Sequence, residues 1–163
     1  MRQHPRAMNT AAEIDSRRLT LADAAATHAL GARIGAALGV GEAVLLEGPL
    51  GVGKTTLARG AVAAWTGGDE DVPSPTYTLI QIYDGAKGAL WHADLYRLKG
   101  PGEVEEIGLL DALSEAACLI EWPDRLGAAA PRDRLDVALF FVDEGRAAVL
   151  RAHGAWRERL NEL

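Results

Sequence analysis

The chain has 163 residues, of which 48% are hydrophobic and 25% are charged, a composition typical of a globular protein of about one domain. Wholesale disorder is therefore excluded, and the formal net charge of −6 argues against a protein that binds its partner mainly by neutralising a phosphate backbone. The acidity is local, because residues 100–124 contain seven acids and no Lys or Arg, so that this segment carries −7 and the rest of the chain +1. We expect this segment to form either a solvated acidic face or an edge that docks on a basic patch of a partner.

Predicted helices and strands alternate after a flexible lead-in over residues 1–14. In chain order the first half has a strand over 17–21, a helix capped by Asp23 that reaches about residue 38, a strand over 43–47 and a helix over 55–65. The second half has strands over 77–83 and 89–94, a helix from Pro101 through the acidic segment, a strand over 117–121, a hairpin of strands 134–142 and 147–152, and a closing helix over 155–163. This order predicts a single α/β domain over residues 15–163, with a mixed, mostly parallel sheet flanked by helices and a C-terminal β-hairpin.

The composition also bears on the compartment. No run of 18 uncharged apolar residues occurs, so no membrane-spanning helix is expected, and the N-terminal residues lack the apolar core of a secretory signal. Cys118 is the one cysteine, which excludes an internal disulfide, and its apolar neighbours in the sequence predict a buried thiol. These features favour a cytoplasmic protein.

A glycine-rich loop carries the strongest chemical signal. Residues 48–55 read Gly-Pro-Leu-Gly-Val-Gly-Lys-Thr and match the phosphate-binding pattern G-x-x-x-x-G-K-[ST] between a predicted strand and a predicted helix. The loop turns its backbone N–H groups inward onto phosphates at the positive end of the helix, through Gly48, Gly51, Val52 and Gly53. Lys54 is expected to reach the β and γ phosphates, Thr55 to bind Mg²⁺, and Thr56 to support the α phosphate. The motif, placed between a predicted strand and a predicted helix, indicates a sheet of the P-loop NTPase type.

Two acidic residues end predicted apolar strands, Asp94 and Glu121. The carboxyl ends of buried parallel strands lie beside such a loop, so both residues are expected to handle Mg²⁺ or a water molecule; ordinary exposed strand ends are the alternative. The guanine-reading pattern N-K-x-D and the transporter signature L-S-G-G-Q are both absent, which favours ATP as the nucleotide.

Three further residues, Thr76, His92 and Trp122, are candidates for a functional role. Thr76, in a proline-flanked segment after the P-loop helix, is expected to coordinate Mg²⁺ only when a γ phosphate is present; a rigid turn is the alternative. His92 is expected to be a neutral hydrogen-bonding residue rather than a metal ligand. Trp122 is the aromatic residue most in need of a test, because it adjoins Glu121, whereas the other aromatic residues are expected in the core.

Four ordered motifs carry a resemblance to a known family. They are Gly-Val-Gly-Lys-Thr-Thr at 51–56, Ser-Pro-Thr-Tyr-Thr-Leu at 74–79, His-Ala-Asp-Leu-Tyr-Arg-Leu at 92–98 and Ile-Glu-Trp-Pro at 120–123. In this order and spacing they resemble the TsaE family, small bacterial P-loop ATPases needed to make threonylcarbamoyladenosine in transfer RNA. The resemblance covers about residues 19–152.

The resemblance implies roles for individual residues. It implies that 51–56 bind the phosphates of ATP, that Thr55 and Glu121 form a magnesium site, and that Asp94 is a Walker B-like acid. It implies further that 74–78 form a mobile switch and that Ala24 and Arg146 contact the base end of the nucleotide. Two positions depart from the family pattern, Pro49 where Asp is usual and Ala93 where Phe is usual.

The resemblance also implies a function and partners. The chain is expected to be a slow Mg²⁺-dependent ATPase that acts with the TsaB and TsaD proteins and reaches transfer RNA only through them. Its catalytic residues would be Lys54, Asp94, Glu121 and Thr76. No motif dictates an arginine finger: Arg97, three residues beyond Asp94, is one candidate, and a stimulating group from a partner or from assembly is the other. A small-molecule kinase with the same loop is the alternative, and a non-catalytic module gated by nucleotide is the third possibility.

Overall fold

A computed structural model describes residues 15–68 and 79–163. The seven strands are β1 (Asp15–Leu21), β2 (Ala43–Glu47), β3 (Ile80–Gly85), β4 (Gly88–Asp94), β5 (Ala117–Glu121), β6 (Arg134–Val142) and β7 (Gly145–His153). The α-helices are α1 (Ala24–Ala37), α2 (Lys54–Thr66), α3 (Pro101–Glu106) and α4 (Leu109–Glu115), and 3₁₀ turns span Pro123–Ala129, Gly154–Glu158 and Leu160–Glu162. The expected lead-in and the expected switch at 74–78 lie outside the described residues.

The strands form one sheet in the order β1-β7-β6-β2-β5-β4-β3. The central pairs β2–β6, β2–β5 and β5–β4 are parallel, whereas β1–β7, β6–β7 and β3–β4 at the two edges are antiparallel. The predicted class of a mixed α/β sheet with a C-terminal hairpin is confirmed, and the parallel pairs lie at its centre. No helix in the described ranges is both long and apolar enough to span a bilayer.

Helices cover the sheet on both faces. On one face α1 and α2 bury a core that includes Ile34, Leu57 and Leu46. On the other face α3, α4 and the 3₁₀ turn after β5 bury a smaller core around Leu45 and Ile120. The strand residues alternate between these two cores, as a pleated strand requires. The two cores fix the central strands, and therefore their carboxyl ends, from both sides.

Local signals account for the start of α1 and for a break in the acidic segment. The Asp23 carboxylate accepts a hydrogen bond of 2.8 Å from the Ala26 N–H, which confirms it as the N-cap. The acidic segment is two helices rather than one, because the chain turns at Gly108 with a φ of 79°. Cys118 is fully buried in β5, as predicted, and burial raises the pKa of its thiol to about 12.

The structure differs from the prediction at two element ends. Leu79, predicted within a strand, has a φ of 63° and lies just before β3. The predicted closing helix is wrong, because 154–162 form 3₁₀ turns. Its nine residues are too few for a stable isolated helix, and side-chain contacts hold them instead. The Arg159 guanidinium makes hydrogen bonds of 2.7 and 2.8 Å to the two carboxylate oxygens of Glu42.

Glycines let α1 and α2 approach until their backbones touch. A Cβ atom on Gly35 of α1 would lie 2.3 Å from the carbonyl oxygen of Ala61 in α2, far inside any real contact. Gly31 and Gly60 meet the partner helix in the same way. This contact sets the position of α2 and, with it, the position of the glycine-rich loop at its N-terminus.

We expect Gly35→Ala to lower the free energy of unfolding by about 1–3 kcal/mol, because the added methyl group overpacks the contact between α1 and α2. Gly102→Ala is the matched control, since Gly102 also lies in a helix but faces open space. There alanine is expected to stabilise by up to about 1 kcal/mol. Urea denaturation of both variants measures the difference. Equal effects of the same sign would show that the helices do not meet at Gly35.

Candidate nucleotide-binding site

The glycine-rich loop connects β2 directly to α2. Gly48 has a φ of 147°, and a Cβ atom there would lie 2.6 Å from the carbonyl oxygen of Leu139 on the neighbouring strand β6. Only glycine fits this position, which explains the first glycine of the motif. Gly53 is the N-cap of α2, and Lys54 is its first residue. The backbone N–H groups in the first turn of α2 have no partner within the helix and are therefore available to bind an anion at the loop.

A cavity of about 200 Å³ opens in front of this loop. The two acids that were predicted at strand ends, Asp94 and Glu121, line it together with the P-loop lysine. The full lining is Leu50, Gly51, Gly53, Lys54, Thr55, Thr56, Asp94, Glu121 and Trp122. The prediction that the strand-end acids lie beside the loop is thus correct.

Strand register explains why the acids meet there. Glu121 pairs with Leu46 of β2 on one side and with Asp94 of β4 on the other, so the three positions stand side by side across parallel strands. Both acids are buried, with exposed fractions of 3% for Glu121 and 5% for Asp94. A buried carboxylate is costly unless it is hydrogen-bonded or paired with a cation, which marks this edge as a site with a chemical purpose.

Two side chains orient the Glu121 carboxylate. The Nε2 atom of His92 lies 2.8 Å from one oxygen, and the hydroxyl of Thr55 donates to the other oxygen at 3.4 Å. His92 is fully buried, and its Nδ1 atom has no hydrogen-bond partner among the described residues. A neutral ring with its proton on Nε2 satisfies this geometry, because Nε2 then donates to the carboxylate. The structure therefore gives His92 the hydrogen-bonding role that the sequence predicted.

Asp94 is held by the backbone around it. One of its carboxylate oxygens accepts a hydrogen bond of 3.0 Å from the Tyr96 N–H. Its own N–H donates at 2.9 Å to the carbonyl oxygen of Leu79. Leu79 is the first described residue after the expected switch at 74–78, and it is in direct contact with Asp94. Thr76 lies outside the described residues, and its catalytic role stays a prediction.

Lys54 is nearly buried between the loop and an aromatic ring. Its Nζ atom donates to the carbonyl oxygen of Gly48 and lies 3.6 Å from the centroid of the Trp122 ring. Burial lowers the pKa of Lys54, and the negative charges of Glu121 and Asp94 oppose that shift. Desolvation disfavours the charged form of the ammonium group, whereas the two nearby acids favour it.

A second cavity of about 430 Å³ lies on the other side of the loop, between α1 and β7. It is lined by Leu21, Ala22, Asp23, Ala24, Thr27, Gly51, Val52, Gly53, Thr56, Gly145 and Arg146. Ala24 and Arg146, the predicted base-end residues, are both in this lining. The Arg146 Nε atom donates at 3.2 Å to the Val52 carbonyl oxygen, and the guanidinium packs 4.3 Å from the Phe141 ring centroid.

Some residues of the site were missed or lie elsewhere. Thr27 is buried in the second cavity, but it sits in an alanine-rich helix with no motif to reveal it. Leu50 lies exposed at the tip of the loop, inside the phosphate pattern but without a defined role there. Arg97, considered as an arginine finger, lies instead in a separate groove with Leu79 and Glu103.

The oxygen donors of the first cavity suit Mg²⁺. Within residues 15–68 and 79–163, no group of three or more His, Cys, Asp or Glu side chains could hold a metal ion by itself. Mg²⁺ does not need such a cage, because it binds through one or two carboxylates and takes its other ligands from water and substrate phosphates. Thr55, Glu121 and Asp94 offer this donor set around one small cavity.

Comparison with known proteins agrees with this geometry. A family model described as "Threonylcarbamoyl adenosine biosynthesis protein TsaE" matches residues 21–148. The crystal structure of Bacillus subtilis YdiB has a similar fold, with a TM-score of 0.68 and 28% identity, and the match covers 92% of this chain and 93% of that chain.

Three relatives are named tRNA threonylcarbamoyladenosine biosynthesis protein TsaE. The Rickettsia bellii protein is 40% identical over 103 residues, which are 63% of this chain and 72% of the relative. The Haemophilus influenzae protein is 40% identical over 104 residues, 63% of this chain and 65% of that protein. The protein of a Nostoc species is 38% identical over 133 residues, with coverage of 78% and 80%. The chain therefore belongs to the TsaE family.

Proposed function

We propose that this protein binds and hydrolyses ATP with Mg²⁺, as the ATPase of the machinery that makes threonylcarbamoyladenosine in transfer RNA. The observation that carries the proposal is the single cavity in which the P-loop lysine, the Thr55 hydroxyl and two buried carboxylates meet. The names of the relatives support the pathway, since they are tRNA threonylcarbamoyladenosine biosynthesis proteins. We take residues 15–163 to act as one domain.

The roles of the residues follow from their positions. The loop N–H groups hold the phosphates, with Thr56 beside the α phosphate, and Lys54 neutralises charge on the β and γ oxygens. Thr55 and Glu121 hold Mg²⁺, which when bound supplies charge stabilisation to the transferring phosphoryl group. Asp94, whose carboxylate accepts a hydrogen bond from the Tyr96 N–H, would orient a water molecule at this site when Mg²⁺ is bound. For Thr76, which lies outside the described residues, we keep the predicted role of coordinating Mg²⁺ only when a γ phosphate is present.

The adjoining cavity accommodates the rest of the nucleotide. Gly51, Gly53 and Thr56 line both cavities, so a nucleotide whose phosphates lie on the loop extends naturally into the second one. There Ala24 and the first turn of α1 form one wall and Arg146 the opposite one. We assign the sugar and adenine to this space.

We propose TsaB and TsaD as partners and transfer RNA as a substrate that the partners hold. The net charge of −6 makes direct binding to an RNA backbone unfavourable. We expect slow turnover of the isolated chain, because a partner would complete the site, for example with a stimulating group. We also propose a cytoplasmic location, which the free Cys118 supports.

Replacement of Lys54 and of Glu121 separates binding from hydrolysis. We expect Lys54→Ala to weaken ATP binding and to reduce turnover by about 100-fold or more, because an ammonium that faces the phosphates is lost. Glu121→Ala should retain most ATP affinity but lose Mg²⁺-dependent hydrolysis by a similar factor. Isothermal titration calorimetry and phosphate release measure the two effects. Normal hydrolysis by Glu121→Ala would contradict the metal assignment.

His92 is expected to act through Glu121. His92→Phe keeps a ring but loses the donor to the carboxylate, and we expect the Mg²⁺ concentration for half-maximal hydrolysis to rise about 10- to 100-fold. His92→Gln is the matched control, because its amide can replace the Nε2 donor and should restore much of the affinity for Mg²⁺. If both variants behave alike, His92 contributes only packing.

Phosphate release with and without the partners tests the pathway. We expect slow release by the isolated chain and faster release when TsaB and TsaD of the same organism are added together. Parallel incubation with small phosphate acceptors tests for a kinase, and ATP binding with no release in any mixture would indicate a non-catalytic module. Vigorous release that the partners leave unchanged would refute the proposed role.

A further inference from the structure

Trp122 faces the same cavity as Glu121, although the two residues are consecutive. In an extended strand successive side chains point to opposite faces, so a residue after Glu121 would normally point away. Trp122 breaks this alternation with a φ of 58° and a ψ of 57°, in the left-handed region. Both side chains consequently line the cavity in front of the P-loop. A left-handed backbone is unfavourable for a bulky residue, so the surroundings must hold it there.

Neighbouring residues fix the indole ring without any contribution from Lys54. The Trp122 N–H donates at 3.3 Å to the carbonyl oxygen of Leu46, at the end of the central strand β2. Pro123 follows at once and is buried at the start of the 3₁₀ turn. The ring packs on Tyr96, with 4.8 Å between the ring centroids and an interplanar angle of 49°. The ring is thus a rigid wall and not a loose surface residue.

The ammonium of Lys54 lies against the face of the Trp122 ring. A distance of 3.6 Å from Nζ to the ring centroid is well within the range of a cation–π interaction. Lys54 has an exposed fraction of only 5%, so the interaction takes place away from bulk water, where it is strongest. On its other side the ammonium donates to Gly48. Burial also lowers the pKa of this lysine, which agrees with a group that has lost much of its hydration.

We propose that Trp122 is the positioning residue of the P-loop lysine, whose ring face holds the Lys54 ammonium in the cavity and keeps water from it. The left-handed turn at Trp122 places the indole ring over the lysine, while Glu121, the last residue of β5, keeps the direction that the strand gives it. Both side chains therefore face the cavity, one as a carboxylate and the other as an aromatic face for the ammonium. The kinetic part of this inference rests on the proposed ATPase function, whereas the positional part does not.

Nuclear magnetic resonance tests the positional part, because the chain has only three lysines: Lys54, Lys87 and Lys99. In the full chain labelled with ¹³C at the lysine ε carbon, the Lys54 signal should show an upfield ring-current shift and a nuclear Overhauser contact with the Trp122 ring. Trp122→Leu should remove that shift, and Trp122→Phe should retain part of it. Lys87, whose Nζ lies 5.4 Å from the Trp65 ring centroid, is the internal control and should not change.

Two results would overturn the positional part. One is a Lys54 signal without an upfield shift and without a contact to Trp122 in the unaltered chain. The other is a Lys54 signal that Trp122→Leu leaves unchanged. The contact measured in the unaltered chain decides the matter even where the leucine variant does not fold, and thermal melting shows whether it does.

Steady-state hydrolysis tests the consequence. The loop N–H groups still hold the phosphates when the lysine is misplaced, so Trp122→Leu should lower kcat about 5- to 30-fold while KM for ATP changes less than about threefold. Trp122→Phe keeps an aromatic face and should stay within about threefold of the original kcat. A kcat that Trp122→Leu leaves unchanged would overturn the positioning role. If the unaltered chain does not hydrolyse ATP at all, the proposed function fails, and the resonance experiment alone decides the role of Trp122.

Discussion

Parallel pairing of three neighbouring strands fixes where every group of this site lies. Leu46, Glu121 and Asp94 stand in register at the carboxyl ends of β2, β5 and β4. The P-loop leaves β2 two residues after Leu46, so the loop and the two acids must reach the same edge of the sheet. A register slip of one residue in β5 would turn Glu121 to the other face and remove it from Thr55 and His92. The cores on both faces of the sheet protect this register against slippage.

This arrangement requires charged side chains to be buried. Two carboxylates and one ammonium lie almost out of water in a small space, and their formal charges sum to −1 with His92 neutral. Hydrogen bonds from His92, Thr55 and the Tyr96 N–H offset part of the desolvation of the acids. The remaining negative charge favours a divalent cation at this edge, and the loop N–H groups with Lys54 favour phosphate beside it. Metal and phosphate would each reduce the cost of holding the other, which is the electrostatic argument for the magnesium nucleotide that we propose as the ligand.

The parts of the site that could be predicted are those that a short segment specifies by itself. The glycine-rich loop has a fixed spacing, and an acid at the end of an apolar strand is visible in a few residues. Together they placed Lys54, Thr55, Asp94 and Glu121 correctly around one cavity. The sheet class followed in the same way from the alternation of elements. Thr76 and the switch lie outside the described residues and stay predictions.

What could not be predicted depends on contacts between distant segments. Thr27 reaches the second cavity only because α1 packs on α2 through glycines that face Leu57 and Ala61, and no local pattern reports that contact. The left-handed turn of Trp122 depends on a hydrogen bond to Leu46, some 76 positions earlier in the chain. The closing 3₁₀ turns depend on Glu42, which binds Arg159. In each case a tertiary contact overrides or supplements the local propensity.

The seven acids of residues 100–124 differ in burial, which agrees with the separate role that the sequence predicted for Glu121. Among them, Glu121 is buried at the site, whereas Glu105, Glu106, Asp111 and Glu115 are exposed on α3 and α4. Charges exposed to water are screened over about 8–10 Å at physiological ionic strength, so the exposed acids repel a nucleotide at the P-loop far less than Glu121 attracts a metal. An RNA backbone differs from a nucleotide, because it presents many phosphates along an extended surface and would meet the acidic helices directly. This charge distribution is compatible with the proposed function, in which the chain binds a magnesium nucleotide in its loop and a partner handles transfer RNA.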